Sequence, residues 1–309
     1  MPKGLEPNPH CQQEKNILIG CNKNLTNKSE PNEIFTLECT SPIDVVPYPV
    51  KEMKEEKITD LAGITTGFNF LTIALFGPRK NLEKQIEWFL EEFKDDPDVG
   101  LVLKAGFAAN SVIDRDATES HLKSIMSNHK GSKCKLYLLH GSMTEVEINS
   151  LYNHPKMKAY LTFTHGEGYG LPIFEAAYNG LPIIATDWSG HLDFLTAPYQ
   201  QNGREKNKKL FARVDYTLKE IPKSVVWKDI LQEGSRWANP IEISAKKQMR
   251  KVYRNHGVYV KWAKILKENI LKTYKKDKIE SLMAERILET LEGNREKDTG
   301  AHTPKTLVF

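Results

Sequence analysis

Between residues 68 and 185 the chain alternates short apolar runs with segments whose apolar residues recur at helical spacing, and nothing else in the sequence restricts the fold as tightly. The runs at 68–76, 99–103, 135–139, 159–163 and 182–185 have strand length and are apolar on successive positions. A strand reads this way when both its faces are covered. Between them, residues 81–93 set Leu82, Ile86, Phe89, Leu90 and Phe93 on one helical face, and residues 116–129 do so with Leu122, Ile125 and Met126. Residues 144–152 open on Thr144 with Glu147 three positions on, the pattern of a capping box, and residues 171–178 make a further helix. Strands followed each by a helix imply βαβ units, hence a parallel sheet with helices on both faces.

The expected fold is therefore α/β, a Rossmann-like doubly wound parallel sheet spanning roughly residues 43–225. Flanking segments are less regular. Residues 1–40 are polar, with one short apolar run at Ile17-Leu18-Ile19-Gly20. Residues 43–50 read as a short strand stopped by Pro47 and Pro49, and 51–60 as a linker or solvated helix. Residues 197–209 read as a polar loop and 210–218 as one more strand. Helices are expected at 243–253, 258–274 and 278–291, with a flexible tail from Gly293. The domain expectation is thus a short N-terminal segment (1–42), a main domain (43–255), a helical tail (256–292) and a loose end (293–309).

Composition narrows the function classes. A net charge of +4 from 44 basic and 40 acidic residues gives no argument for nucleic acid. No apolar run approaches the roughly 20 residues of a membrane span, and the first residues lack the apolar core of a signal peptide. The expectation is a cytoplasmic protein with reduced cysteines at 11, 21, 39 and 134. The lysines of 261–278 read as a solvated face, with membrane-surface contact as the weaker alternative.

In a doubly wound sheet, ligands bind in the loops at the carboxyl ends of the strands. The loop after the fourth strand runs Thr164-His165-Gly166-Glu167-Gly168-Tyr169-Gly170-Leu171 and continues Pro172-Ile173-Phe174-Glu175. Its glycines permit positive φ and close approach to a ligand. The helix that follows offers free N–H groups and a positive dipole end, suited to a diphosphate. Two carboxylates eight residues apart, Glu167 and Glu175, can accept from hydroxyls on either side of that diphosphate. Taken alone, the pair is also explained by a solvated helix residue and a tight turn.

The longer string is more specific. Residues 166–177, then Gly180-Leu181-Pro182-Ile183-Ile184-Ala185-Thr186, then Trp188-Ser189-Gly190-His191, resemble the donor-site signature of retaining GT-B glycosyltransferases of the family-4, or group 1, type. Phe76-Gly77-Pro78-Arg79-Lys80-Asn81 resembles that family's basic pair after the first strand of the C-terminal domain, and Lys104 a lysine that ends the next strand. Val45-Val46-Pro47-Tyr48-Pro49-Val50 resembles its interdomain strand. Ser235-Arg236-Trp237-Ala238-Asn239-Pro240, with Met249-Arg250, resembles its terminal region, although Ile241 stands where an acidic residue is common. The resemblance covers about residues 42–255.

That resemblance implies the GT-B C-terminal half and transfer of a sugar from a UDP- or GDP-linked donor to a glycan, lipid or protein acceptor with retention, without a metal or other cofactor. It implies catalytic roles for Glu167, Arg79 and Lys104. It implies donor contacts from Lys80, His165, Gly166, Gly168, Tyr169, Gly170, Leu171, Glu175, Ser189 and Gly190. Because GT-B proteins carry an N-terminal acceptor domain of similar size, the expectation includes a partner chain or a homodimer. The alternative is a nucleotide-sugar-binding module without its own transfer activity. A NAD enzyme is disfavoured, since the glycine loop follows a late strand and lacks the dinucleotide spacing. A two-carboxylate glycosidase is disfavoured because both acids lie on one loop–helix unit.

Overall fold

The computed structural model describes residues 6–7, 16–22, 33–39, 45–51, 61–201, 203–228 and 230–298. Two compact units divide the chain. The smaller gathers Met1–Pro49, Val226–Ser235 and Thr273–Phe309, and the larger Val50–Val225 and Arg236–Lys272. In the smaller unit, β1 (Glu6–Pro7), β2 (Asn16–Asn22) and β3 (Glu33–Cys39) form an antiparallel sheet in that order. The strand expected at 43–50 does not form: residues 45–50 have no regular structure, and 43–44 lie outside the described residues. Pro47 and Pro49 remove two N–H donors within a few residues, too many for a ladder.

The larger unit follows the expected alternation. Its elements are β4 (Phe68–Leu75), α1 (Leu82–Glu92), β5 (Val99–Gly106), α2 (Val112–Ser127), β6 (Lys135–Leu139), α3 (Glu145–Asn153), β7 (Met157–Thr162), α4 (Leu171–Tyr178) and β8 (Ile183–Thr186). Thr144 and Glu147 form the complete capping box of α3, which stabilises its first turn by about 1 kcal/mol. Beyond β8 come β9 (Thr196–Gln201), β10 (Arg204–Lys209), β11 (Ala212–Val214), β12 (Tyr216–Glu220), β13 (Arg236–Pro240), α5 (Glu242–Arg254) and α6 (His256–Thr273). Residues 197–209, expected as a polar loop, fall within an antiparallel hairpin of β9 and β10. The strand expected at 210–218 splits at Asp215. β11 joins the main sheet, and β12 pairs with β13.

The main sheet has six parallel strands in the order β11-β8-β7-β4-β5-β6. From β4 the chain builds outward through β5 and β6, then returns to the other side of β4 to add β7, β8 and β11. The order reverses between β4 and β7, the switch point at which sheets of this kind open a crevice at the carboxyl ends. Beneath it lies a core of Phe70, Phe89, Phe93, Leu101, Leu103 and Phe163, all fully buried. Truncating one of these phenylalanines to Ala costs roughly 3–5 kcal/mol. On the helix layer, Arg250 of α5 reaches α1, donating to Glu92 Oε1 at 2.6 Å and to Asp96 Oδ2 at 2.9 Å over the Phe93 ring.

The smaller unit also contains α7 (Lys276–Asp298), which continues past Gly293, where the sequence suggested fraying. Residues 299–309 lie outside the described residues. Among those described, no helix is long and apolar enough to cross a membrane. Cys134 is buried with its thiol pushed up to about 11 by burial, hence unreactive as a nucleophile.

Candidate functional site

The crevice is built where a ladder stops. β4 and β7 pair only as far as Leu71↔Tyr160, and beyond that point the backbone groups of β7 need other partners. They find them on the turn after β4 and on α1. Buried Gln85 accepts from Phe163 N–H at 3.1 Å and donates to Thr72 Oγ1 at 2.7 Å, and Thr72 in turn donates to Leu161 O at 2.7 Å. Asn81 Nδ2 donates to Phe163 O at 3.1 Å. His165 N–H and Thr164 Oγ1 both donate to Arg79 O, at 2.9 and 3.2 Å. Pro78–Lys80 is one turn of 3-10 helix, closed by Asn81 at φ 55°, a left-handed position that asparagine adopts more readily than most residues. The turn after β4 is thereby fastened to the loop after β7.

Three charges meet across this seam. Arg79 Nη1 lies 2.9 Å from Glu167 Oε2, and Lys80 Nζ lies 2.7 Å from Glu167 Oε1. Arg79 also donates to Gly166 O. Burial disfavours the Glu167 carboxylate, but hydrogen bonds from Lys80 and Arg79 outweigh it, and the acid is held below its ordinary range. The Glu167 backbone is fixed as well. Ser189 Oγ accepts from Glu167 N–H at 2.8 Å and donates to Glu167 O, to which Gly190 N–H also donates at 3.1 Å. Ser189 sits at φ 96°, a strained position for a residue with a Cβ. A Cβ on Gly190 would lie 1.9 Å from Gly168 O, so only glycine fits there.

The loop then turns into α4 through Gly170 at φ 88°. Pro172 has no N–H, and Ile173 and Phe174 donate back to Gly170 O, both at 2.9 Å. Leu171 opens the helix with its side chain exposed. Gly168 has open space around it. Tyr169 turns inward, its ring 5.3 Å from Phe174 and 5.2 Å from Phe194, and anchors the loop on the core. His165 is gripped by β13. Its Nδ1–H donates to Ala238 O at 2.8 Å, its carbonyl accepts from Ala238 N–H at 3.2 Å, and its ring stacks on Trp237 at 5.2 Å. That fixes the tautomer, leaving Nε2 as an acceptor, and burial lowers the imidazole pKa.

Two expected site residues lie apart from the Glu167 triad and have different partners. Glu175 on α4 accepts from Tyr152 OH at 3.0 Å. Burial raises its pKa, and the Tyr152 bond only partly offsets this. Lys104 at the end of β5 donates to Gly141 O at 2.7 Å, and burial lowers its pKa. Beside it is a pair the sequence reading missed. His140 Nε2 lies 2.8 Å from Asp114 Oδ2, and Asp114 also accepts from the N–H groups of Phe107 and Ala108 at 3.1 and 3.2 Å. The His140 bond is the main reason the Asp114 carboxyl is held below its usual range. A Cβ on Gly106 would come within 2.7 Å of Asp114 Oδ2, so the glycine that ends β5 makes room for the pair. A signal existed in Ser111, whose side chain caps α2 by accepting from Asp114 N–H. Trp237, stacked on His165, and Asn81, bonded to Phe163 O, also support the site, although the motifs that contain them do not mark them out. Among the described residues, no three His, Cys, Asp or Glu side chains gather as a metal ion would require.

No family model and no curated protein matches the chain. Solved structures do. Sucrose-phosphate synthase from Thermosynechococcus elongatus aligns over 80% of this chain and 52% of its own, with 11% identity and a TM-score of 0.54. The C-terminal domain of a glycosyl transferase group 1 family protein (LpcC) from Francisella tularensis aligns over 75% of this chain and 97% of its own, at 17% identity and TM-score 0.45. Anabaena HepE, in complex with UDP and glucose, aligns over 74% and 50%, at 13% identity and TM-score 0.49. The chain thus spans about half the length of the synthase and of HepE. The likeness to the synthase establishes the fold: a Rossmann-like domain of the GT-B kind.

Proposed function

We propose that this chain binds a nucleoside diphosphate sugar at the crevice between β4 and β7 and supplies the donor half of a retaining glycosyltransferase. The observation that carries this reading is the convergence, at the switch point of the sheet, of two cations on one wall and a glycine-opened helix N-terminus on the other. Arg79 offers a planar fork and Lys80 a point charge to phosphate oxygens. The start of α4, whose N-cap Gly170 has no side chain to cap it, adds its first-turn N–H groups and dipole. In this reading these groups, rather than a metal, meet the diphosphate charge. They stabilise it most as the bond to the sugar breaks and negative charge moves onto the leaving phosphate. Glu167, His165 Nε2 and the loop at Gly166 and Gly168 face the sugar hydroxyls, Glu175 the ribose, and Lys104 the phosphate side.

The acceptor, whether glycan, lipid or protein, docks on a second domain that completes the cleft. The second reading is a nucleotide-sugar-binding module without transfer activity of its own. Calorimetric titration of UDP, GDP and their sugar conjugates into the wild type and Lys80→Ala tests the site. One nucleotide should bind, and the variant should weaken it at least about tenfold, the scale of one charge-assisted contact. A folded wild-type protein that binds none of them would sink the donor reading. Binding without sugar transfer to any acceptor would favour the module.

A further inference from the structure

Glu167 does more at this site than contact a sugar. Each of its carboxylate oxygens holds a different cation, Lys80 at 2.7 Å and Arg79 at 2.9 Å. Its side chain is 9% exposed, whereas those of Lys80 and Arg79 are 24% and 43% exposed. The anion is the inner partner, and the cations are reached from outside. The Glu167 backbone is held on both sides by Ser189 Oγ and Gly190 N–H, so the carboxylate moves only by rotation of its own side chain. A second anion arriving at Arg79 and Lys80 must share them with that carboxylate.

We propose that Glu167 is an internal counter-anion that offsets part of the attraction of Arg79 and Lys80 for a diphosphate, and offsets more of it when the terminal phosphate is free than when it is esterified. This inference rests on the donor-site reading above. A free terminal phosphate loses its second proton at a pKa of about 6, so at neutral pH it brings one more negative charge than its ester. Arg79 and Lys80 attract that extra charge, and Glu167 behind them repels it, so the carboxylate cancels more of the attraction for the free terminus than for the ester. The same residue that holds Arg79 and Lys80 in position for an intact donor therefore weakens their hold on the spent nucleotide. The retained carboxylate trades binding strength for release of the by-product.

The test is calorimetric titration of inorganic pyrophosphate, and of whichever of UDP or GDP binds together with its glucose ester, into the wild type, Glu167→Gln and Glu167→Ala. Glu167→Gln keeps the shape and an acceptor for Lys80; Glu167→Ala gives a second readout should the first variant melt early. We expect both variants to bind pyrophosphate and the free nucleotide at least about tenfold more tightly than the wild type, with a gain for the glucose ester less than about a third as large. Equal or weaker pyrophosphate binding in the folded variants, with the wild type still binding, would overturn the inference and leave the donor site standing. An equal gain for the free and esterified nucleotides would overturn it too. Absence of binding by wild type and variants alike would instead overturn the donor site itself.

Discussion

Glu167 and Glu175 lie eight residues apart on one loop and helix, yet the structure surrounds them oppositely. Glu167 sits between two cations with its peptide groups held by Ser189 and Gly190, and its pKa is lowered. Glu175 lies against α3 with one phenol donating to it, and its pKa is raised by burial. Nearby on α4, the buried Tyr178 hydroxyl has no partner among the described residues. One acid belongs to a tightly determined loop, the other to an under-satisfied helix face. An isolated pair of glutamates at fixed spacing therefore says little about charge state, because the partners that decide it come from elsewhere in the chain: the turn after β4 for one acid and α3 for the other.

The sharpest way to break the loop side of this contrast is Gly190→Ala. The added Cβ meets Gly168 O at 1.9 Å. We expect a loss of about 3 kcal/mol in denaturant unfolding together with loss of nucleotide binding. A variant as stable as the wild type would show that the two loops do not rely on this contact. Tyr152→Phe tests the helix side. It removes the one phenol donor to a half-buried carboxylate, at an expected cost of about 1.5 kcal/mol, while the Arg79–Lys80–Glu167 triad stays intact. Unchanged stability would mean water replaces the phenol. Ser189 offers a finer comparison. Ser189→Ala loses the hydroxyl and keeps the strained Cβ, whereas Ser189→Gly loses the hydroxyl and relieves φ. Thermal unfolding should find the glycine variant more stable than the alanine one by about 1 kcal/mol, and the reverse order would show that φ at this position carries no strain.

Smallest in size but clearest in sign is the response to acid. Glu167 has a folded pKa below the ordinary carboxyl value of 4.5, so its contribution is present above that value and lost as pH falls through the folded pKa. Glu175 has a folded pKa above 4.5, so stability falls as pH rises from 4.5 through that raised value. Unfolding curves across the acidic range should show Glu167→Gln flattening the dependence below 4.5 and Glu175→Gln flattening it above. Two variants with the same pH profile would erase the contrast.

How much of this was legible beforehand depended on which groups do the bonding. The strands β4, β5, β7 and β8 were readable because both faces of each are largely covered, leaving short apolar runs such as Phe70-Leu71 and Val102-Leu103, and the edge strand β6 was readable from its apolar run although it is only partly buried. The hairpin of β9 and β10 was not, because Arg204, Glu205, Lys206 and Asn207 are exposed on both faces and give no alternation. Asp215 hid the break between β11 and β12. Its carbonyl accepts from Ile241 N–H and its N–H donates to Ser244 Oγ, contacts that are remote in sequence. At the site, the residue types were visible in the motif, but their partners were not. Nothing local to Ser189 announces a left-handed φ or a grip on a peptide 22 residues away, and nothing around His140 announces Asp114.

The contact of Gly190 with Gly168 has a practical corollary for anyone who would redesign such a protein. Residues 166–170 and 188–190 behave as one cassette. Exchanging either segment for that of another protein, while leaving the other, sets a side chain against a carbonyl or strips Glu167 of its clasp. A transplant of this loop would have to carry both segments, and keep the Arg79 guanidinium that binds Gly166 O and Glu167 of the first one.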